Sequence, residues 1–259
     1  MDWSTRKKMG CLVLLAIFVL LVGGWIAYAL FFKEAPTCFD NKQNQNERGI
    51  DCGGVCQRVC PMDARTIVPV WSRAFRVSKG VYNVVAYIEN QNVTAGVRKI
   101  NYEFRVYDDE NILAGEPITG STFIGPNDKT AIFESPVQTG NRVPKNVFFT
   151  FTDAPDWMTT DPRYQVPQLV SSETVLTDIE TKPKLATNIV NNTLHNYKNV
   201  EVVAILYGAD GNAVNASRTY LDRVDQQSVA KVAFTWQEPF TDPIARIEII
   251  PRINPFEQK

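Results

Sequence analysis

The sequence predicts a mainly β chain with an N-terminal transmembrane helix, a small disulfide-stapled segment, and two tandem antiparallel β-sandwich domains. Three observations predict it. No charged side chain occurs between Met9 and Phe32. Four of the five cysteines fall between Cys38 and Cys60. From Pro61 onward, short alternating apolar runs are broken by Asn, Gly, Asp and Pro, the pattern of strands joined by turns.

The uncharged run comes first. As a helix rising about 1.5 Å per residue it spans roughly 35 Å, enough to cross a hydrocarbon core about 30 Å thick. Arg6, Lys7 and Lys8 precede it, against the mixed pair Lys33 and Glu34. This asymmetry places the N-terminus (1–8) in the cytoplasm, the span at 9–32, and everything after it outside. Trp25, Tyr28, Phe31 and Phe32 sit toward the outer end, where an aromatic belt anchors a span. The alternative is a cleaved secretory signal, for which Ala27-Tyr28-Ala29 has the right small-x-small form; the apolar run, however, continues past that point.

Composition narrows the function classes. A formal charge of −1 with no long basic block excludes a nucleic-acid partner, which requires a concentrated Lys/Arg surface. The single histidine, His195, lies in a polar Asn-rich stretch without a second histidine or a cysteine nearby, so it reads as a solvated loop residue. No Gly-x-Ser-x-Gly motif, reactive-cysteine context or phosphate-binding glycine loop occurs. The carboxylate pair Asp108-Asp109 falls in a predicted turn, where Asp is favoured for backbone reasons. The sequons at Asn92, Asn191 and Asn215 would be glycan acceptors only in a eukaryotic secretory pathway.

The next segment, 33–62, holds Cys38, Cys52, Cys56 and Cys60. An even number of thiols in a stretch too polar to hold itself together by burial reads as two disulfides, with three pairings open. The zinc alternative would need four thiolates separated by 13, 3 and 3 residues, unlike the paired knuckles of structural zinc sites. Asp40, Asn44, Glu47 and Asp51 add oxygen donors every few residues, candidates for a calcium ion, which takes six to eight oxygens. With Thr37, Gly53 and Gly54, these residues resemble a cysteine-rich motif, C-x-D…D-C-G-G-x-C, of bacterial surface and secreted proteins. The resemblance implies an extracytoplasmic juxtamembrane module. The chain departs from it at Asn41, usually glycine, and at Cys60, one position late.

Two sets of strands follow. The first is expected at 71–77, 82–89, 99–107, 116–124, 128–133 and 146–151, within a domain at 63–151. The second is expected at 169–178, 184–191, 199–207, 213–221, 228–236 and 245–251, within a domain at 169–259. Alternation is clearest in Asn101 to Tyr107. The sets look like copies at an offset near 100 residues: Ile88 and Asn90 correspond to Ile189 and Asn191, Tyr107 to Tyr207, and Phe133 to Phe234. A repeat of that length is a whole domain, each closing its own core. Asn199 to Val214 forms a strand, an Asp-Gly turn and a return strand. With Val229 to Phe234, it resembles the small immunoglobulin-like β-sandwich called the FxLYD domain; the first copy keeps the aromatic strand and acidic turn but lacks an equivalent of Gly211. The resemblance implies a fold and says little of activity.

Residues 152–168, with Pro155, Pro162 and Pro167, read as a linker in which Trp157 packs between the domains. The expectation from sequence is a non-catalytic, single-pass, plasma-membrane envelope protein whose outer domains act as a protein-interaction or structural scaffold, with another envelope protein as partner and no cofactor beyond the calcium candidate. The alternative is a cell-surface ligand- or glycan-binding module in which Trp71, Trp157 or Trp236 stacks on a substrate.

Overall fold

The computed structural model describes residues 3–31 and 37–258. The chain divides into two compact units, residues 1–55 and 56–259. In the first, helix α1 runs Trp3–Phe31, and its described side chains, from Met9 to Tyr28, are solvent-exposed. No helix among the described residues is long and apolar enough to cross a membrane. The span expected at 9–32 is therefore not reproduced among them; the described apolar stretch is the helical segment 12–28, roughly 25 Å at 1.5 Å per residue. Phe32 lies outside the described residues, as do the side chains of Arg6, Lys7, Lys8 and Phe31.

The second unit is built from antiparallel sheets. Domain 1 contains β1 (Val68–Ser78), β2 (Val81–Glu89), β3 (Ala95–Tyr107), β4 (Ile118–Ile124), β5 (Lys129–Gln138), β6 (Asn146–Phe151) and β7 (Trp157–Thr159). One sheet has the order β1-β2-β5, the other β4-β3-β6, with β7 also pairing β3. Because side chains alternate across a strand, Val84, Ala86 and Ile88 of β2 reach inward to meet Ile100, Tyr102, Phe104 and Val106 of β3 in one core.

β7 lies inside the expected linker, which is thus shorter than 152–168. It pairs with Ala95 to Val97, and residues just after Cys56 lie along its other side: the Val59 N–H donates to Trp157 O (2.9 Å) and the Thr159 N–H to Gln57 O (2.7 Å). Trp157 is buried in the domain 1 core, not between the domains.

Domain 2 contains β8 (Leu169–Thr177), β9 (Lys184–Asn191), β10 (Tyr197–Tyr207), β11 (Ala213–Val224), β12 (Ser228–Thr235) and β13 (Arg246–Arg252). Its sheets are β12-β9-β8 and β11-β10-β13, which repeat β5-β2-β1 and β4-β3-β6 strand for strand. Local chemistry repeats as well. Asn90 and Asn191 are both fully buried. The Asn90 amide donates to Ala95 O and Gly125 O and its Oδ1 accepts from the Asn92 N–H; the Asn191 amide donates to His195 O and Asp225 O and its Oδ1 accepts from the Thr193 N–H. Each ties the end of one strand to two loops. The turns after Tyr107 and Tyr207 share one hydrogen-bond pattern, Asn111 N–H to Asp108 O (3.2 Å) and Gly211 N–H to Gly208 O (3.0 Å). Asn111, at φ 59°, stands where Gly211, at φ 77°, does. Asn tolerates this left-handed backbone better than other non-glycine residues, which is why the first copy manages without the glycine.

One expected correspondence slips by a residue. Phe133 pairs with Val85 and faces outward, whereas Ala233 pairs with the equivalent Ala186 and Phe234 points into its own domain's core. A one-residue shift in a strand reverses the face. Phe133 instead belongs to a third cluster, which joins the two domains in addition to the core that each closes for itself. Phe75, Val85, Tyr87, Ala131 and Phe133 of the outer β1-β2-β5 face pack on Val203, Ile205, Tyr207, Ala213, Ala216 and Ile250 of the outer β11-β10-β13 face, and Trp71 packs against them.

Candidate interaction surfaces

The cysteine loop is the first candidate. Cys38 is bonded to Cys56 and Cys52 to Cys60, which resolves the three open pairings and leaves no thiolates there for zinc. The loop turns through several residues of positive φ, including Asn41 (56°), Asp51 (53°), Gly53 (71°) and Gly54 (62°). Asn41 thus takes a left-handed backbone conformation that glycine adopts freely. At Gly54 a Cβ would lie 2.2 Å from Asn46 O, so the loop requires glycine there.

Asp40, Asn44, Glu47 and Asp51 do come together. Asp51 Oδ1 accepts from the Asp40 N–H (3.0 Å) and Oδ2 from the Asn41 N–H (3.0 Å). Asp40 accepts from the Asn44 amide (2.8 Å) and from the Lys42 N–H (2.9 Å), which hold its carboxyl below the usual carboxylate range. Glu47 Oε2 accepts from the Asn44 N–H (3.1 Å). Asn44 Oδ1 is buried without a partner. Asp40, Glu47 and Asp51 thus each accept N–H donors from within the loop and cap its turns.

The second candidate is the interface between the domains. Around the apolar cluster runs a polar rim. Arg73 donates to Ala213 O (3.1 Å) and Asn212 Oδ1 (2.5 Å), Arg218 to Phe133 O (2.6 Å), and Arg252 to Thr122 Oγ1 (2.8 Å) and to Glu201. Glu248 accepts from both the Tyr87 and Tyr207 hydroxyls, each at 2.8 Å. Burial, then the bond to Glu248, pushes the Tyr207 phenol up to about 12 and raises Tyr87 as well. Each fully buried Val or Ile contributes about 1.5–3 kcal/mol, so the cluster joins the two domains into one body.

The third candidate is the equivalent face left free on domain 1. Register places Glu103 opposite Thr150, Arg105 opposite Phe148 and Tyr107 opposite Asn146; in domain 2 the same rows read Val203–Ile250, Ile205–Glu248 and Tyr207–Arg246. Glu103 and Arg105 form an ion pair at 2.6 Å. None of these residues was singled out by motif. The available signal was the alternation of Asn101 to Tyr107 against the unbroken apolar run Val202 to Tyr207, since a strand buried on both faces loses its alternation.

The remaining sequence candidates are structural. Trp71 stacks on Tyr87 (5.5 Å, 11°), and Trp236 is buried with its Nε1–H donating to Asn215 Oδ1 (2.8 Å); with Trp157 in the core, each of these three tryptophans packs against its neighbours. His195 Nε2 lies 3.5 Å from Arg163 Nη1 on an exposed loop. Of the sequons, Asn92 and Asn191 are buried. A cavity of about 580 Å³ opens between the Gly125–Lys129 loop, residues 164–171 and β13. Asp128 lines it, and burial pushes its carboxyl up.

Fold and surfaces define a two-domain, antiparallel β protein with a disulfide-stapled leading segment. Comparison with known protein families finds no match, and neither does comparison with curated proteins. Among solved structures the chain has likenesses to a β-glucuronidase of glycoside hydrolase family 2 (12% identity, 67% of this chain and 24% of that one, TM-score 0.22) and to the C-terminal globular domain of an oligosaccharyltransferase from Pyrococcus abyssi (9%, 72% and 46%, 0.21). A third is to a Bacteroides uniformis β-glucuronidase (10%, 69% and 22%, 0.20). The chain spans less than half the length of each. At these TM-scores the likenesses carry no argument about fold or activity.

Proposed function

We propose that this chain is a non-catalytic, single-pass membrane-anchored envelope protein whose two outer β-domains, held as one body, serve as a scaffold for another envelope protein. The observation that carries the reading is α1: its described side chains are apolar and exposed from Leu12 to Tyr28, apart from Gly23 and Gly24, and such a surface calls for a lipid environment. The flanking charge asymmetry assigns the cytoplasmic side to the N-terminus, and two disulfides suit an oxidising compartment. FxLYD-like sandwiches are the domain class this reading adopts. The apolar interface supports the scaffold role, since it fixes the mutual placement of two surfaces.

The test is alkaline carbonate extraction of membranes, together with protease accessibility in intact cells. The chain should stay in the pellet and be cleaved from outside. Release by carbonate, or protection from external protease, would sink the anchor and the topology respectively. Crosslinking in intact cells followed by mass spectrometry should capture one recurrent protein; capture of none removes the scaffold role.

A further inference from the structure

The free face of domain 1 holds an anomaly. Where domain 2 buries apolar rows, domain 1 has exchanged Val203, Ile205 and Ile250 for Glu103, Arg105 and Thr150, as a solvent-facing sheet requires. Phe148 goes against that trend. It takes the place of the polar Glu248, yet the residue is 59% exposed. Tyr107 packs against it in a T-shaped contact, with centroids 5.6 Å apart and planes at 85°, which braces the phenyl ring on the sheet. The ring forms part of a cavity of about 510 Å³ whose other lining residues are Tyr107, Glu103, Arg105, Asn111 and Thr150.

We propose that this cavity binds a saccharide. A pyranose has one apolar face of C–H bonds and a rim of hydroxyls. It needs a flat aromatic ring for the first and, for the second, hydrogen-bonding groups set around that ring. Phe148 supplies the ring; Glu103 accepts, Arg105 donates, and Asn111 and Thr150 do both. A single exposed ring is far smaller than the roughly 800 Å² per partner of a stable protein interface, so the site suits a sugar ring better than a folded protein. The strands hold five of the six lining residues in register, and Asn111 is fixed by the turn it closes.

The test uses the full chain in a zwitterionic detergent without a sugar headgroup, and saturation-transfer NMR with maltohexaose, cellohexaose and chitohexaose as probes. At least one probe should receive transfer at its ring C–H protons, and Phe148→Ala should weaken it about tenfold or more. Glu103→Gln, which keeps the shape and removes the charge, should weaken it less. Because Phe148 is exposed, the variant should keep the parent melting temperature, which is measured alongside. No transfer to any probe overturns the proposal, as does transfer that survives Phe148→Ala. Binding of a proline-rich peptide at Phe148 in place of all three sugars overturns it too. The outcome is independent of the anchor and scaffold tests, which read location and partner.

Discussion

The outer faces of β3 and β10 occupy the same place in the same topology, and they meet different surroundings. On β3, an exposed Arg105 pairs with a half-buried Glu103; on β10, Val203 and Ile205 are fully buried against the neighbouring domain. The opposite faces differ in the complementary sense. Trp71, Tyr87 and Phe133 on domain 1 correspond by register to Ser172, Asn188 and Ala233 on domain 2. Duplication of a domain with two complementary faces would by itself allow an open, head-to-tail array. Here the interface anchors are missing from both terminal faces, with Glu103 and Arg105 in their place at one end and Ser172, Asn188 and Ala233 at the other, although Phe148 stays exposed on the first and Val170, Val175 and Val229 on the second. Among the described residues, the complementary aromatic and aliphatic anchors meet at the internal interface.

The most severe way to break this arrangement is to write the β3 face onto β10. Val203→Glu with Ile205→Arg removes two buried aliphatic side chains and places charges in the cluster, and should cost more than about 4 kcal/mol. Calorimetry should show one cooperative transition in the parent and two in the variant; an unsplit transition would mean that the interface does not couple the domains. Asn90→Ala and Asn191→Ala probe what the copies share. Each leaves two carbonyls without the donor they have in the parent and should lose about 3 kcal/mol. Denaturant titrations giving values that differ by more than about a factor of two would refute their equivalence.

The converse exchange, Glu103→Val with Arg105→Ile, should change folding stability by no more than about 1 kcal/mol, since the face is exposed. Its effect should appear in sedimentation velocity as concentration-dependent self-association, because an apolar face has been restored to one end. Persistent monomer at high concentration would show that polarity is not what ends the array. Tyr207 offers a gentler probe. Its folded pKa is raised to about 12 from a reference near 10, so its contribution is complete below about pH 10 and is lost as the pH climbs through the folded value. Tyr207→Phe should cost about 1 kcal/mol at neutral pH and flatten that alkaline decline; an unchanged slope would remove Tyr207 from the interface's titration.

Much of this fold was legible in the residues, and the omissions have physical causes. Alternation located both strand sets because most strands have one wet face. β7 was hidden since three residues between prolines give no periodicity, and Trp157 reads alike in a core or a linker. The interface was written in the unbroken run Val202 to Tyr207, but an apolar run on one strand does not say which surface covers it. Phe133 was aligned to Phe234 by residue type, where only the pairing register could show that one faces out and the other in. The disulfide pairing was open because four cysteines within so short a segment allow every combination, and the calcium candidates were visible as oxygen donors while their N–H partners were not. Phe148 carried no signal, since its exposure is a property of the assembled sheet.

The smallest expected effect sharpens the comparison furthest, because it concerns backbone alone. Asn111 and Gly211 close equivalent turns at positive φ, and a Cβ built on Gly211 meets nothing within 4 Å. Any cost of a side chain there is conformational strain. Gly211→Asn and Asn111→Gly should each shift stability by less than about 0.5 kcal/mol, whereas Gly211→Val should lose about 2 kcal/mol, since a β-branched residue resists the left-handed region in which Asn can rest. Equal losses for Asn and Val at position 211 would mean that the second turn needs glycine for a reason the first does not share. The two hairpins would then have diverged in backbone as well as in the faces they present.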